Sequence, residues 1–582
     1  MTSFAITRRK ILASLALFAA FLGSTVAQEG RNSYHPATPG TYQSVHAEHG
    51  LVVAQEKISA RIGADILKRG GNAIDAAVAT GLAMAVTYPR AGNIGGGGFM
   101  VIHLAKTGED IAIDYRETAP AKATHDMFLS DGKPDPAKSR DSALGIGVPG
   151  TVAGLALALE KYGSGRFTLA ELLQPAIALA RDGFVVTDDL ADTLPQWYRR
   201  LAKWPASVKA FARPDGTSLR EGDKLVQADL AATLSAIAEQ GPRGFYQGPV
   251  AEKLAKAVAD AGGIMTTDDL KSYAAAVRTP VRGTYRGYDI VSMPQPSSGG
   301  VVLLETLNIL EGFALADMAE GSAPSLHLMI EAMKRGYADR ARYLGDPSFV
   351  NAPISTLTSK DYAAKLRAGI DPDRATPSAD LQAAALQPHE GNNTTHFSVV
   401  DSFGNAVANT YTLNFSYGVG LVAEGTGVLL NNELDDFTAA PGASNAFGLV
   451  GYEANLPGPG KRPLSSMSPT IVLKDGKPVL VTGSPGGSRI ISTVLQVIVN
   501  VLDYKMDLAA AVASPRLHHQ WLPDEVRLEP GFPDDVLAAL KARGHRVVES
   551  MGYTSANSIL VTPNGLLGAP DPRTRGAEAA AQ

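Results

Sequence analysis

There is no cysteine among the 582 residues. That absence excludes disulfides, thiol nucleophiles, iron–sulfur clusters and cysteine-ligated zinc. It leaves the compartment open, because an exported chain with a large core can do without disulfides. Charge of either sign is not in excess: the formal net charge is −5, with no basic run beyond the extreme N-terminus. No nucleic-acid partner is expected on that ground. The G-x-S-x-G turn of the α/β-hydrolases is missing. Gly95 to Gly98 form a glycine run without the Lys-Ser/Thr of a phosphate-binding loop. We read it as a place of close backbone packing. What remains is an ordinary globular composition, 45% hydrophobic and 19% charged, with ample material for a large core.

Long apolar runs are also lacking. The one candidate is N-terminal, where Arg8, Arg9 and Lys10 precede an apolar stretch from Ile11 to Leu22. It is short for a bilayer span. With the small residues Thr25 and Ala27 behind it, it reads as a signal peptide over residues 1–27, the paired arginines suggesting twin-arginine export. A periplasmic mature chain starting near Gln28 is expected.

Along the rest of the chain, Ile58, Ile62 and Ile66 have helical spacing and Gly70-Gly71 closes the helix. Ala73 to Val86 is alanine-rich and apolar all round, a buried helix. "NIGGGGFMVIHLAKTGEDIAIDYRETAP" reads as loop, strand, turn, strand. Residues 148–312 are mostly helical but contain a strand pair running into a Gly-led helix, and further helices are expected at Ser325 to Arg342 and Tyr362 to Ala368. Arg374 to Asn393 turns polar and irregular, a linker or exposed loop. At Thr394 the character changes to a hairpin, "THFSVVD" and "AVANTYTLN" about "SFGN". Strands follow near Gly427 to Leu430, Thr470 to Lys474, Pro478 to Thr482, Arg546 to Glu549 and Ser558 to Thr562, with a helix in "GSRIISTVLQVIVNVLDY". Helices packed on stacked antiparallel sheets, an α+β fold, fit this order better than a doubly wound parallel sheet.

Several residues offer chemistry. A hydroxyl nucleophile needs a base. His396 lies two residues from Thr394 and would share its face in a strand. A second route is open to Thr394. If the bond before it is cut, its own α-amine, with a pKa of about 8, stands beside its hydroxyl as a general base. The bland reading is a β-branched residue at a strand start. Gly486 and Gly487 in "TGSPGGSR" either present N–H groups to an oxyanion or form a plain turn. Ser465 and Ser466, the acids Glu433, Asp435 and Asp436, and Arg116 in "DYRE" together could grip an amino acid. Acids suit its ammonium, while hydroxyls and the forked guanidinium suit its carboxylate. His518-His519 with Asp524 and Glu525 have no established metal-ligand spacing, so no metal and no cofactor is expected.

The ordered motifs "GGNAIDAAVA", "GNIGGGGFM", "DYRETAPAKA", "PQPSSGG", "TTHFSVVD", "TYTLN", "NNELDDF", "KRPLSSMSPTIV", "TGSPGGSRI" and "PRLHHQWLPDE" resemble the γ-glutamyltransferase (γ-glutamyl transpeptidase) family over about residues 42–575. The resemblance implies an N-terminal-nucleophile hydrolase with a four-layer αββα sandwich. It implies self-cleavage between Asn393 and Thr394 into a large subunit, 28–393, and a small subunit, 394–582, interlocked as a heterodimer. Thr394 would take the γ-glutamyl group of glutathione or a similar amide and pass it to water, an amino acid or a peptide. In the family pattern Thr412 bonds the nucleophile, and Gly486 and Gly487 form the oxyanion hole. Arg116, Ser465 and Ser466 hold the α-carboxylate; Asn414, Glu433 and Asp436 hold the α-amine. Where many bacterial members carry a lid tyrosine, this chain has Phe447, which implies a weaker hold on substrate. "GAPDPR" replaces the usual "GASDPR". A related branch cleaves glutaryl-cephalosporins, whose side chain lacks the α-amine, and the Asp436 kept here argues for a glutamyl substrate.

Overall fold

A computed structural model describes residues 42–381, 393–549 and 554–582. The expected signal peptide lies outside them, as do residues 382–392 of the polar run. Two seven-stranded antiparallel sheets lie face to face. The first runs in the order Glu578–Ala581, Leu51–Ala54, Thr395–Val400, Ala406–Thr412, Gly97–Leu104, Glu109–Tyr115 and Ala276–Arg278. The second runs Val45–Ala47, Gly565–Ala569, Ser558–Thr562, Lys477–Thr482, Thr470–Lys474, Tyr288–Ser292 and Val281–Tyr285.

Three apolar cores define four layers. On the hairpin that starts at Thr395, Phe397, Val399, Val407 and Tyr411 point outward into a core with the helices Lys57–Lys68 and Ala73–Thr87. Val400, Ala406 and Ala408 point inward and meet Ile471 and Val481 of the facing sheet. This is the period of two that a strand buried on both faces requires. The far face of the second sheet is covered by Gly299–Leu310, Ala323–Tyr343 and Arg489–Leu502, joined in one core through Val302, Met329 and Ile498. The αββα sandwich expected from the resemblance is thus the observed fold. The helix Ala73–Thr87 is buried at every position, and a capping box between Asn72 and Asp75 satisfies its first turn.

The expected hairpin, the Gly-led helix and the long helices fall where the periodicity puts them. The strand expected near Gly427 to Leu430 shortens to Val428–Leu429 and pairs only with Val422–Ala423, outside both sheets. Five strands of the two large sheets go beyond the sequence reading: Val45–Ala47, Leu51–Ala54, Ala276–Arg278, Gly565–Ala569 and Glu578–Ala581. The last is Glu-Ala-Ala-Ala, a helix-favouring string held extended by pairing with Leu51–Ala54.

The glycine run allows close packing, as expected. A Cβ at Gly96 would stand 2.1 Å from the Thr412 carbonyl oxygen, and one at Gly97 would stand 2.4 Å from that of Tyr115. Both obstacles are backbone, so neither can rotate away. Gly96→Ala should therefore destabilise the fold by about 1–3 kcal/mol. Chemical denaturation in an uncut Thr394→Ala background checks this; an unchanged midpoint contradicts it.

Candidate active site

Asn393 and Thr394 precede a central strand of the first sheet, flanked by Leu51–Ala54 and Ala406–Thr412. Both are buried. The Thr394 hydroxyl donates to the Asn393 carbonyl oxygen, the carbonyl of the peptide bond that joins the two residues. It also lies 3.2 Å from Thr412 Oγ1, which accepts the Asn414 backbone N–H at 2.8 Å. Asn414 has φ +71°, a left-handed conformation that asparagine tolerates better than most residues. Its Nδ2 donates to the Asn432 carbonyl at 2.9 Å.

His396 is not poised to act as base. Its Nδ1 is 2.8 Å from Thr410 Oγ1 and its Nε2 is 3.0 Å from Ser398 Oγ. Burial between the sheets pushes its pKa down to about 3. The ring is a neutral spacer, and the open route to a base is the α-amine of a freed Thr394.

Thr394 and Thr412 open onto a cavity of about 270 Å³, also lined by Arg116, Asn414, Glu433, Asp436, Phe447, Ser465, Ser466 and Gly487. Of the expected site residues, Gly486 and Asn393 stand back from the lining, the first next to Gly487 at the turn before the helix Arg489–Leu502 and the second next to Thr394. Gly487 has φ +56°, and a Cβ there would fall 2.2 Å from the Phe447 ring. Phe447 packs edge-on against Phe415 and has no hydroxyl to offer. Asp435, offered with Glu433 and Asp436, turns away to bond Ser139 and the Ala446 backbone.

One end of the cavity concentrates charge. Arg116 donates through Nη1 to Glu433, through Nη2 to Asp436 Oδ2 at 2.5 Å, and through Nε to the Pro463 carbonyl at 3.1 Å. Burial alone would lower its pKa, but Glu433, Asp436 and Glu117 outweigh it and raise it. Glu117 is fully buried, 3.8 Å from Arg116 Nη1, and burial pushes its pKa up to about 8. One guanidinium among three carboxyl groups cannot neutralise all of them: burial raises Glu117, and burial with the neighbouring Glu117 and Asp436 raises Glu433 as well, against the lowering pull of Arg116.

The residues that brace this end were not legible in sequence. The "PQPSSGG" turn holds the serine pair, with Ser298 Oγ donating to the Ser465 carbonyl at 2.6 Å and Ser297 Oγ to the Met467 carbonyl at 2.6 Å. Arg340 reaches Ser298 Oγ at 2.9 Å and Ser466 Oγ at 3.4 Å, and burial draws its pKa down to about 10. One turn earlier on the same helix, the Tyr337 hydroxyl donates to the Ser488 carbonyl beside Gly487. Asn445 Nδ2 donates to Asp436 Oδ1 at 3.2 Å. The sole sequence signal for the helix pair was a basic and an aromatic residue three apart.

His518 and His519 diverge. The first bonds Ser492 and Gln520; the second faces Asp524. Among the described residues, His327, Glu331 and His545 come within 4.8 Å of one another. Glu331 there accepts from Arg335 at 2.7 Å, and the two imidazoles are 2.7 Å apart in a hydrogen bond of their own.

The Gamma-glutamyltranspeptidase family model matches residues 59–581. The glutathione hydrolase proenzyme of Escherichia coli (strain K12) is 53% identical, over 93% of this chain and 94% of that one. That of Pseudomonas sp. (strain A14) is 48% identical, over 91% and 92%. The crystal structure of a cephalosporin acylase from Bacillus halodurans superposes with a TM-score of 0.82 at 29% identity, covering 94% of this chain and 98% of that one.

Two outcomes follow from this geometry. Tyr337→Phe removes one hydrogen bond behind Gly487, worth about 0.5–1.5 kcal/mol. It should lower kcat by roughly 2- to 10-fold with little change in KM, measured on a γ-glutamyl anilide. The second concerns pH. Glu117 has its folded pKa raised from an ordinary 4.5 to about 8. Between those values the folded state keeps a proton that the unfolded chain releases, so stability falls as pH rises through the window. Glu117→Gln should flatten that fall, measured by denaturation at a series of pH values in the Thr394→Ala background.

Proposed function

The chain belongs to the γ-glutamyltranspeptidase family, and we propose that it works as a self-processing γ-glutamyl hydrolase and transferase with Thr394 as nucleophile. The precursor cuts itself between Asn393 and Thr394, leaving a large subunit, 28–393, and a small subunit, 394–582. The freed α-amine of Thr394 then draws the proton from its own hydroxyl. That hydroxyl attacks the γ-carbonyl of glutathione or a similar γ-glutamyl amide. Gly486 and Gly487 N–H groups receive the oxyanion, and the leaving amine takes the proton. Water, or the amine of an amino acid or peptide, then attacks the γ-glutamyl ester and restores Thr394.

The single observation that carries this reading is the cavity, which joins the Thr394 hydroxyl to a charged end lined by Arg116, Glu433, Asp436, Ser465 and Ser466. A substrate α-carboxylate would take Arg116, Ser465 and Ser466. The α-ammonium would take Asn414, Glu433 and Asp436. A substrate lacking either charge leaves buried partners unpaired, which is the strong form of discrimination. Among the described residues no helix is long and apolar enough to cross a membrane, and export to the periplasm through residues 1–27 completes the reading.

A second reading is carried by the likeness to the cephalosporin acylase. A glutaryl side chain has the carboxylate but not the ammonium. The test is to purify the mature protein, sequence the N-terminus of its smaller band, and compare γ-glutamyl with glutaryl anilides. The expected result is Thr-Thr-His-Phe and a kcat/KM at least about 10-fold higher for the glutamyl compound, the loss of one hydrogen-bonded charge being worth roughly 1.5–3 kcal/mol. Faster glutaryl cleavage would transfer the assignment to the acylases. An uncut chain in folded protein would remove Thr394 from its role.

A further inference from the structure

We propose that Arg90, Ser416 and Asp189 form a clamp on the Asn393 side chain that positions the peptide bond before Thr394 for self-cleavage. The inference rests on the self-cleavage reading above and concerns the acyl side of that bond.

The Asn393 amide is held at both ends. Its Oδ1 accepts from Arg90 Nε at 3.0 Å. Its Nδ2 donates to Ser416 Oγ at 2.6 Å and to the Arg90 carbonyl at 3.2 Å. Arg90 Nη1 donates in turn to Asp189 Oδ1 at 2.7 Å. Asp189 sits in the first turn of the helix Asp188–Leu201, where the helix dipole favours a carboxylate. All four side chains are buried. The Arg90 carbonyl also accepts the Tyr417 backbone N–H at 2.9 Å, and the Tyr417 hydroxyl is 3.2 Å from that of Thr193 on the same helix. The grip is therefore anchored in three separate stretches of chain.

None of Arg90, Asp189, Asn393 or Ser416 lines the cavity that holds Arg116 and Glu433. The clamp is separate from the groups that would read the substrate, and what it holds is the residue on the far side of the bond to be cut. An asparagine fits this grip because it offers one acceptor to Arg90 and two donors to Ser416 and the Arg90 carbonyl. An aspartate would lose both donors.

In the cleavage step the Thr394 oxygen bonds to the Asn393 carbonyl carbon, and the carbon–nitrogen bond to Thr394 breaks. The hydroxyl proton passes to the departing nitrogen, giving an ester and a free amine. Water then adds to the ester carbon, leaving the Asn393 carboxylate and the Thr394 hydroxyl. The first step needs the carbonyl face held toward the hydroxyl. Two backbone torsions at Asn393 set that face, and three side-chain hydrogen bonds fix them. Misplacing reacting atoms by about 1 Å can cost roughly 100-fold in rate.

The test follows cleavage of full-length precursor, made by cell-free translation, on denaturing gels over time. Arg90→Ala, Ser416→Ala and Asn393→Ala should each slow cleavage by roughly 10- to 100-fold. The Arg90→Ala/Asn393→Ala double variant should be no slower than the slower single one, because both remove the same contact. A merely structural role would instead give multiplied effects that track a fall in melting temperature, which would overturn the clamp. So would single variants that cleave at the wild-type rate. If Arg90→Ala does not fold, Ser416→Ala with Asn393→Ala forms the same cycle. A wild-type precursor that never cleaves would overturn the self-cleavage reading, and the clamp with it; Thr394→Ala is the uncut control.

Discussion

On the proposed reading, the constraint on which this architecture depends is that Thr394 must fold as the middle of a chain and then act as its end, and it stands immediately before a strand in the interior of a sheet. Segments from before and after residue 394 are joined side by side in both sheets. In the first, Leu51–Ala54 from the earlier segment lies between Thr395–Val400 and Glu578–Ala581 from the later one. In the second, Val45–Ala47 and Tyr288–Ser292 flank the later strands on either side. Cutting one peptide bond frees an amine but releases no strand, because every ladder hydrogen bond that holds Thr395–Val400 is made to other strands. Precise placement of the nucleophile thus survives the event that creates it. That is what a rigid, sheet-borne site offers over one carried on a loop.

The charged end of the cavity follows a second constraint, the cost of burying ions. A lone guanidinium at this depth would be expensive, and so would each carboxylate. Together Arg116, Glu433 and Asp436 bond one another, and burial holds Glu117, and Glu433 with it, above the ordinary carboxylate range, which lowers the negative charge buried there. A zwitterionic amino-acid head can enter such a site by exchange. Its carboxylate replaces the acids at Arg116 while its ammonium replaces Arg116 at the acids, so no charge is left alone at the end. A ligand with one charge cannot complete the exchange. Specificity here comes from the penalty of the half-finished trade more than from the strength of any contact.

How much of this was legible in the sequence depends on the range of the signal. Local periodicity gave the Thr395 hairpin, the buried alanine-rich helix and the helix after "TGSPGG". The residue types that can hold an amino acid, Arg116, Glu433, Asp436, Ser465 and Ser466, were visible as candidates. Their convergence was not fixed by local pattern, since Arg116 sits more than 300 positions from the others and spacing alone left each with an ordinary loop reading. The motif resemblance supplied the grouping. What no local pattern carried was the bracing: Tyr337 behind Gly487, Arg340 on Ser466, and Arg90 on Asn393 are long-range contacts from otherwise unremarked helix and turn positions. The strand Glu578–Ala581 was hidden for a related reason. Its composition favours helix, and only the unpaired edge of Leu51–Ala54 makes it a strand. His396 shows the opposite error that proximity in sequence invites, because two residues' separation from Thr394 put it between the sheets with both nitrogens engaged.

The same fold serves a cephalosporin acylase at a TM-score of 0.82, so the sandwich by itself does not decide the substrate. The decision falls to a few side chains on irregular segments. Glu433 and Asp436 lie on a short 3₁₀ turn, Ser465 and Ser466 on a stretch held by Ser297 and Ser298, and Phe447 on a loop tied through its carbonyl to Gln520 at 3.0 Å. These segments meet over a nucleophile whose own position is fixed by ladders they do not belong to. Substitutions there can change which acyl group fits without disturbing how Thr394 is made or held. Phe447, packed against Gly487 and Phe415, fits that division: it closes the apolar wall of the cavity, while on the proposed reading selection for the glutamyl head rests with the buried ions at the other end.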